Sequence, residues 1–343
     1  MTNETIYSSS LPKVAVIILN WNGKDDTLEC LASVKKLDYA NYEIVVVDNG
    51  SNDASVDAIS KQYPDVTLLQ TCENLGYAGG NNVGICWALE QSVDYVLVLN
   101  NDTIVDTQLL RYLVAAGFDD NQIGLLGPTN YYYSEPNKIW TIGATINEQP
   151  HTGYKMIGDG DNEGTWRGAI QFDALIGSAI LIHKRVFESI GLFDERFFLC
   201  WEELDFCERA RKADYKCLFV PEAKIWHKVG STLGGNESPL RTYFNVRNRL
   251  LWAKKNLSLS ARFKLSKESY RTFFLILLPS LVLIDTNLSL AKRLLWSFSS
   301  WVRTIKRNFT NPTNRATLVG LRDYYLGRFG NCPECIRLLK EPK

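Results

Sequence analysis

Between Tyr95 and Thr103 an unbroken apolar run, Tyr95-Val96-Leu97-Val98-Leu99, passes directly into Asn100-Asn101-Asp102. A buried strand with that ending delivers a carboxylate to the rim of a sheet, which is where open α/β folds bind ligands. One hard oxygen ligand beside a phosphate is a common way to hold Mg²⁺ or Mn²⁺. Asn and Asp are also frequent turn residues, so an ordinary strand-to-loop turn competes with the metal reading.

Other polar clusters stand at comparable places. Apolar runs end in Asn20-Trp21-Asn22-Gly23 and in Asp48-Asn49-Gly50-Ser51, and a helical pattern opens with Asn74-Leu75-Gly76-Tyr77-Ala78-Gly79-Gly80-Asn81-Asn82. Glycines allow close backbone approach, and Asn amides offer paired donors and acceptors. Together the clusters suit a nucleotide base and ribose better than strand-end punctuation. No Gly-x-Gly-x-x-Gly turn follows the first strand and no Gly-x-x-x-x-Gly-Lys-Ser/Thr loop occurs, which withdraws support from hydride transfer and ATP hydrolysis.

The elements that must position these residues alternate. Val14–Leu19, Glu43–Val47, Val66–Leu69 and Tyr95–Leu99 read as strands, and Thr27–Leu37, Ala54–Tyr63, Ala78–Gln91 and Leu109–Ala116 as helices. Strand-helix alternation implies parallel pairing, and runs without polar alternation imply strands covered on both faces. The expected fold class is therefore α/β, a doubly wound nucleotide-binding sheet. From Gly117 to about Thr165 the chain is rich in Gly, Asn, Tyr and Pro, the mark of a loop-dominated excursion with short strands that shapes a cleft. Regular structure resumes over Gln171–Ile182, with helices near Lys184–Ile190 and from Glu202 to Lys212 and a closing strand at Cys217–Val220. Beyond about Gly235 the pattern is helical. The expected organisation is a short flexible N-terminus (1–12), a catalytic domain (13–235) and a basic helical region (236–343).

At 343 residues and 45% hydrophobic content the chain can bury a large core. Its 38 basic and 38 acidic residues cancel, yet residues 241–343 hold 20 Lys and Arg against 5 Asp and Glu, leaving 18 against 33 for the rest. A basic segment calls for a polyanionic partner. Apolar clusters at Thr272–Ile284 and Leu294–Phe298 interleave with the positive charges and favour an anionic membrane surface over nucleic acid. The first cluster contains Pro279 and falls short of the roughly 20 residues needed to span a bilayer, so an interfacial helix is expected, with a buried helix as the alternative. Met1 to Ser10 is polar and carries no signal-peptide pattern. Of eight cysteines only Cys332-Pro333-Glu334-Cys335 has metal-like spacing, and no second pair completes a zinc site; reduced cytosolic thiols are the expectation.

The strings Val16–Gly23, Val46–Ser51, Glu73–Asn82 and Leu99–Asp102, followed by Phe193-Asp194-Glu195-Arg196-Phe197-Phe198, Trp201-Glu202-Glu203-Leu204-Asp205 and Trp226-His227-Lys228-Val229-Gly230-Ser231-Thr232, resemble those of family-2 glycosyltransferases. Within that family they are most similar to rhamnosyltransferase-like enzymes of bacterial surface polysaccharides, over roughly residues 13–250. The resemblance implies a GT-A fold and an inverting transfer from a nucleoside-diphosphate sugar, dTDP-rhamnose or a UDP-hexose, to a glycan acceptor on a polyprenyl diphosphate at the inner face of the membrane. It also implies roles. Asp48 matches the aspartate on the pyrimidine base, with Asn20 and Asn22 lining the same pocket; Gly79, Asn81, Asn82, Asn100 and Asn101 complete the expected donor set. Asp102 matches the last acid of the Asp-x-Asp metal motif, whose first acid is here Asn100. His227 matches the histidine that completes many such sites, and imidazole suits Mn²⁺ better than Mg²⁺.

Glu202-Glu203 stand where the family usually has Glu-Asp, the second acid being the general base. Glu203 is the expected base and Glu202 its understudy. Trp201, Asp205 and Arg247 are expected at the acceptor or a diphosphate, although Asp205 could merely pair with Arg209, and Arg247 could form ordinary salt bridges. Leu175–Ala179 resembles the small-residue stretch below the acceptor site, or simply packs. A sugar-1-phosphate nucleotidyltransferase, whose phosphate loop is not seen here, and a non-catalytic membrane-bound sugar-nucleotide binder are the rival readings.

Overall fold

The computed structural model describes residues 11–118, 120–146, 154–229, 238–277 and 290–339. In chain order the elements are β1 (Val14–Asn20), α1 (Lys24–Val34), β2 (Tyr42–Asp48), α2 (Ser55–Gln62), β3 (Thr67–Gln70), α3 (Gly76–Glu90), β4 (Tyr95–Asn100), β5 (Thr103–Val105), α4 (Leu109–Gly117), β6 (Ile123–Tyr132), β7 (Ile139–Thr141), β8 (Gly143–Ile146), β9 (Tyr154–Ile157), β10 (Ile170–Phe172), β11 (Ala179–His183), α5 (Lys184–Ile190), α6 (Glu202–Lys212) and β12 (Lys216–His227), then α7 (Pro239–Asn256), α8 (Leu259–Leu277), α9 (Leu290–Thr310), α10 (Pro312–Tyr325) and α11 (Glu334–Arg337). The residues through 229 form one compact unit and those from 238 onward a second.

The first unit is built on a ten-stranded sheet with the path β10-β12-β6-β11-β4-β1-β2-β3. Strands β3, β2, β1 and β4 are mutually parallel, as strand-helix alternation requires. Val14 through Ile18 have no exposed surface, so β1 is covered on both faces. The doubly wound half reaches only to β4. Strand β11 returns antiparallel to β4 and β6, and β12 runs parallel to β6, so the whole sheet is mixed.

Two sequence expectations are corrected here. The excursion after Gly117 contains β6, a ten-residue central strand of which only the last residue is not buried. Its Gly124, Gly127 and Pro128 suggested loop, but the two glycines answer to crowding: a Cβ on Gly127 would sit 2.8 Å from Leu175 Cδ2, and one on Gly124 2.7 Å from Val186 Cγ2. The closing strand is also longer than Cys217–Val220. It shifts register between Val220 and Lys224, next to Pro221, and resumes to His227.

Gly84 shows how tightly α3 lies on the sheet, since an added Cβ would be 2.6 Å from Ile17 Cγ2 and 3.0 Å from Val47 Cγ2. Gly80 faces Leu19 Cδ1 at still closer range. The glycines of α3 thus bring a helix onto β1 and β2 and hold its N-terminus beside their polar ends.

In the second unit α7 packs on α10, where a Cβ at Gly320 would come 2.9 Å from the Tyr243 carbonyl. Buried Arg247 donates to the Gly330 carbonyl (2.6 Å), to Tyr243 Oη (3.1 Å) and to Asn248 Oδ1 (2.9 Å), and its guanidinium lies over the rings of Tyr243 and Phe244. This is core construction, and the diphosphate role expected of Arg247 is not carried further. All eight cysteines are free thiols. Among the described residues no helix is long and apolar enough to cross a membrane. The second half of the apolar run, Leu278–Ile284, lies outside the described residues, as do residues 1–10 and the Gly230-Ser231-Thr232 end of the last matching string.

Candidate active site

Parallel pairing sets Asn20 at the end of β1 opposite Asp48 at the end of β2. Asn20 Nδ2 donates to Asp48 Oδ1 at 2.8 Å and to Ser51 Oγ at 3.1 Å, while its Oδ1 accepts from Thr27 Oγ1 at 2.8 Å. Asp48 Oδ2 accepts from the Ser51 amide at 3.1 Å. Asn20 is fully buried and therefore orients Asp48. Asn22, exposed and at φ 51°, accepts from the Asn52 amide at 2.8 Å, bridging the two loops. Asn101 Nδ2 donates to Thr27 Oγ1 at 3.0 Å and ties the β4 end to the same bracket.

The α3 motif has a different use from the one its residue types suggest. Asn82 Nδ2 donates to the Phe193 carbonyl and to Glu195 Oε1, both at 3.0 Å, and its Oδ1 accepts from the Phe193 amide at 3.1 Å. Asn81 Nδ2 donates to the Tyr77 carbonyl at 2.9 Å, and a Cβ on Gly79 would meet Leu75 Cβ at 2.9 Å. Asn82 thus clamps the helix to the loop at Phe193 and Glu195, while Asn81 bonds within the helix and Gly79 lets Leu75, the residue before the helix, pack close. At the helix start the Phe198 carbonyl accepts from the amides of Tyr77 (2.6 Å) and Ala78 (3.3 Å). Phe198, Cys200 and Trp201 all have φ between 63° and 79°. Left-handed backbone at three such residues is costly and concentrates at functional turns. Here it aims the first turn of α6.

That turn carries Glu202, Glu203 and Asp205. Asp205 is buried and accepts from Arg209 Nε at 2.8 Å, while Arg209 also caps the carbonyls of Ile190 and Leu192. Of the two roles foreseen for Asp205, the structure takes the pairing with Arg209. Glu202 is 4% exposed, with no hydrogen-bond partner for Oε2 among the described residues. Burial first, then the charge of Glu203, pushes its pKa well above the ordinary carboxyl range and favours the neutral acid. Glu203 is the less buried of the two. Its Cβ and Cγ rest 3.6 Å from where a Gly177 Cβ would stand, and the same point is 3.2 Å from Tyr77 Oη. Tyr77 Oη donates to the Gly177 carbonyl at 2.5 Å, and the Ser178 carbonyl accepts from the Asn100 amide at 3.0 Å. The turn before β11 thus joins the Glu203 helix to the Asn100-Asn101-Asp102 strand end. The pKa of Tyr77 is raised well above normal, by burial and then by the charges of Glu202, Glu203 and Asp102.

Asp102 and His227 meet because β5 pairs antiparallel with β12, His227 opposite Thr103. The Lys228 amide donates to the Asp102 carbonyl at 2.9 Å, and His227 Nε2 lies 3.1 Å from Asp102 Oδ1. Asn100 Nδ2 is 3.5 Å from the same Nε2. Lys228 Nζ reaches back to Asp26 Oδ1 (2.6 Å) and Glu29 Oε2 (2.5 Å) on α1, latching the strand end. The Trp140 ring stands 4.8 Å from the imidazole, and the Tyr154 ring packs edge-on against Trp201 at 5.2 Å. Among the described residues no three His, Cys, Asp or Glu side chains form a closed metal cage. The donor set is nonetheless suited to a cation that keeps most of its sphere for substrate: one carboxylate, one imidazole and Asn100 Oδ1, which is buried with no protein partner among the described residues.

A mixed sheet whose four parallel strands end in polar clusters, with a carboxylate–imidazole pair and a buried acid pair beside them, has the architecture of a GT-A glycosyltransferase. Residues 15–188 match the family model "Glycosyl transferase family 2", and the chain belongs to that family. It is 28% identical over 251 residues to the low-salt glycan biosynthesis hexosyltransferase Agl10 of Haloferax volcanii, covering 72% of this chain and 77% of that one. It is 26% identical over 224 residues to the N-acetylglucosaminyl-diphospho-decaprenol L-rhamnosyltransferase of Mycobacterium tuberculosis, covering 60% and 72%. In fold it is similar to the mannosyltransferase PcManGT of Pyrobaculum calidifontis in complex with GDP-Man and Mn²⁺, with TM-score 0.54, 15% identity and coverage of 92% and 88%.

Tyr77 and Trp140 escaped the sequence reading as site residues, whereas Gly177 lay in the Leu175–Ala179 stretch it singled out. An aromatic residue in a helix or a short strand carries no local sign of what it meets in space.

Proposed function

We propose that this protein is an inverting glycosyltransferase of surface-glycan synthesis that moves a sugar, rhamnose or a hexose, from a nucleoside diphosphate to a glycan acceptor on a polyprenyl diphosphate. The observation that carries this is the Asp102–His227 pair at the strand end next to the rim where Asn20 orients Asp48, joined through Ser178 and Gly177 to the α6 turn that carries Glu202 and Glu203. The hexosyl- and rhamnosyltransferase names of two relatives, one acting on a decaprenol-linked sugar, support the donor and acceptor classes.

In the proposed mechanism Asp48, held by Asn20 and the Ser51 amide, receives the pyrimidine base, with Asn22 and Asn101 shaping its loops. Asp102, His227 and Asn100 would hold Mn²⁺ or Mg²⁺, whose positive charge, when bound, stabilises a diphosphate leaving group. Glu203 takes the proton of the attacking acceptor hydroxyl as its oxygen forms the new bond to the anomeric carbon and the nucleoside diphosphate departs from the opposite face. One displacement inverts the configuration. Neutral Glu202 behind it places no second negative charge beside the developing carboxylic acid. Trp201, fixed by Tyr154, offers a ring to the acceptor.

The helical unit is proposed to rest on the anionic inner surface of the cytoplasmic membrane, where such an acceptor resides. A non-catalytic sugar-nucleotide binder is the outcome that would replace this reading.

Glu203→Gln separates the two. Transfer is measured by released nucleoside diphosphate from dTDP-rhamnose and UDP-hexoses with Mn²⁺ and Mg²⁺ compared, and donor affinity by calorimetry. Loss of the base should lower turnover by about 10²–10⁴-fold with donor affinity nearly unchanged. Unaltered turnover refutes Glu203 as base, and absence of turnover with every donor in the parent protein refutes the enzyme reading.

A further inference from the structure

The transfer site leaves unexplained a groove of about 590 Å³ on the same unit, within the range of about 300–1,000 Å³ usual for small-ligand sites. It opens where β5 ends, at Asp106, and its floor crosses β12 at Pro221 and Lys224. Lys224 lies three residues before His227 on a regular stretch of β12 and so projects from the other face of the sheet. At roughly 3.3 Å per residue the groove begins about 10 Å from the imidazole, beyond the contact range of the donor bracket.

Three rings line it. Tyr131 is buried and stacked on Trp226, Trp166 is fixed by donation from its Nε1 to Asp161 Oδ2 at 2.9 Å, and Tyr112 leaves 41% of its surface in water. Between the rings stand planar hydrogen-bonding groups. Glu222 and Arg167 are exposed and make no hydrogen bond or ion pair among the described residues, and Gln108 donates its Nε2 to Asp38 Oδ2 at 2.9 Å. Lys224 is already neutralised by Glu163 at 2.7 Å. With Asp106 and Glu222 also in the lining, the groove has no cationic surplus and is unsuited to a phosphate or nucleotide. Rigid rings with apolar faces, spaced by unengaged carboxylate and guanidinium groups, match a ligand with apolar ring faces and an equatorial fringe of hydroxyls.

We propose that this groove is a saccharide-binding subsite that holds a neutral segment of the glycan away from the reacting hydroxyl. The choice of glycan rests on the transferase reading; the site itself does not. A subsite of this kind raises affinity for long acceptors and leaves short ones unaffected, because only a long chain can occupy both places.

The test uses the full-length protein and a panel of neutral trisaccharides built from rhamnose, N-acetylglucosamine, galactose or mannose, with binding read by saturation-transfer NMR and calorimetry. At least one should bind, and Trp166→Ala should weaken it by tenfold or more with UDP or dTDP affinity unchanged. Tyr112→Ala, at a half-exposed ring, should weaken it by a smaller factor and serves if the tryptophan variant fails to fold. Binding of none of the panel, binding indifferent to both substitutions, or loss of nucleotide affinity in place of saccharide affinity overturns the proposal. Glu203→Gln should bind the trisaccharide as the parent does. Saccharide binding by a parent protein that transfers from none of the donors would sink the transferase reading and leave the groove standing.

Discussion

At the scale of single residues the decisive feature is that adjacent acids on α6 live in different surroundings. Glu202 is sequestered and held toward its neutral form, and Glu203 lies nearer solvent against Gly177. A carboxyl whose pKa is raised by folding binds its proton more tightly in the native state. Below the ordinary value of 4.5 both states are protonated and the group is silent. As pH rises from there toward the elevated native value, the unfolded chain releases the proton first, so native stability falls across that window and stays lower above it. Glu202→Gln removes the titration. Its unfolding free energy should match the parent near pH 4 and exceed it at pH 8, with a flatter slope between, as read by urea unfolding at each pH; an identical pH slope in the two proteins would show that Glu202 is ionised in the native state. Residue types exposed the polar strand ends that hold Asp48 and Asp102, whereas the Glu202-Glu203 pair and His227 stood out only through the resemblance to the family, since single acids and a single histidine carry no local mark of a site. Residue types also did not reveal the structural contacts of Asn82, Gly79 and Asp205, which go to loops and a neighbouring arginine that are distant or ambiguous in sequence.

Among the elements, α3 links chemistry to architecture. Its glycines let it settle on β1 and β2 so that its first turn can donate to the Phe198 carbonyl and set Tyr77 Oη on the Gly177 carbonyl, beside Glu203. Gly84→Val should therefore be costly although valine is the better helix former. The gain in intrinsic propensity is a few tenths of a kcal/mol, whereas forcing branched carbon into a packed interface costs about 1–3 kcal/mol. A lower urea midpoint with unchanged m-value is expected; a midpoint equal to or above the parent's would mean that the helix–sheet interface is not packed as described. The four parallel strands were legible to within about a residue because each is a mostly apolar run, and β1 and β4 are continuous ones buried on both faces. β6 was not, since Gly124 and Gly127 answer there to close packing against Val186 and Leu175, residues some 50 to 60 positions away. The second half of β12 hid for a related reason: Pro221 interrupts its pattern, and only pairing with β5 and β6 makes His227 a strand residue.

For the molecule as a whole, the charge asymmetry is where the two units differ most, and the second unit shows what its basic residues accompany. Along α8, Leu259, Phe263, Tyr270 and Phe274 recur at helical spacing on one stripe, and all are at least half exposed or nearly so, Leu259 at 79% and Phe263 at 73%. On α9, Phe298, Val302 and Phe309 form a second exposed stripe. Exposed Lys264, Lys267, Arg271, Arg303, Lys306 and Arg307 accompany them, while Glu268, the single acid of α8, is paired with Arg249. A helix face of aromatic side chains edged by cations is the composition of an interfacial helix on anionic lipid. Each cation near such a surface contributes about 1 kcal/mol and each inserted Phe about 2 kcal/mol. The protein should therefore sediment with phosphatidylglycerol-containing vesicles and not with phosphatidylcholine alone, and salt should weaken the association because the charge term is screened. The double variant Phe263→Ser, Phe298→Ser should lose binding by more than tenfold with transfer to a soluble acceptor intact. If the parent ignores anionic vesicles, or the variant sediments as well as the parent, the stripes serve another partner and the membrane assignment falls, while the chemistry assigned to Glu203 and Asp102 is untouched.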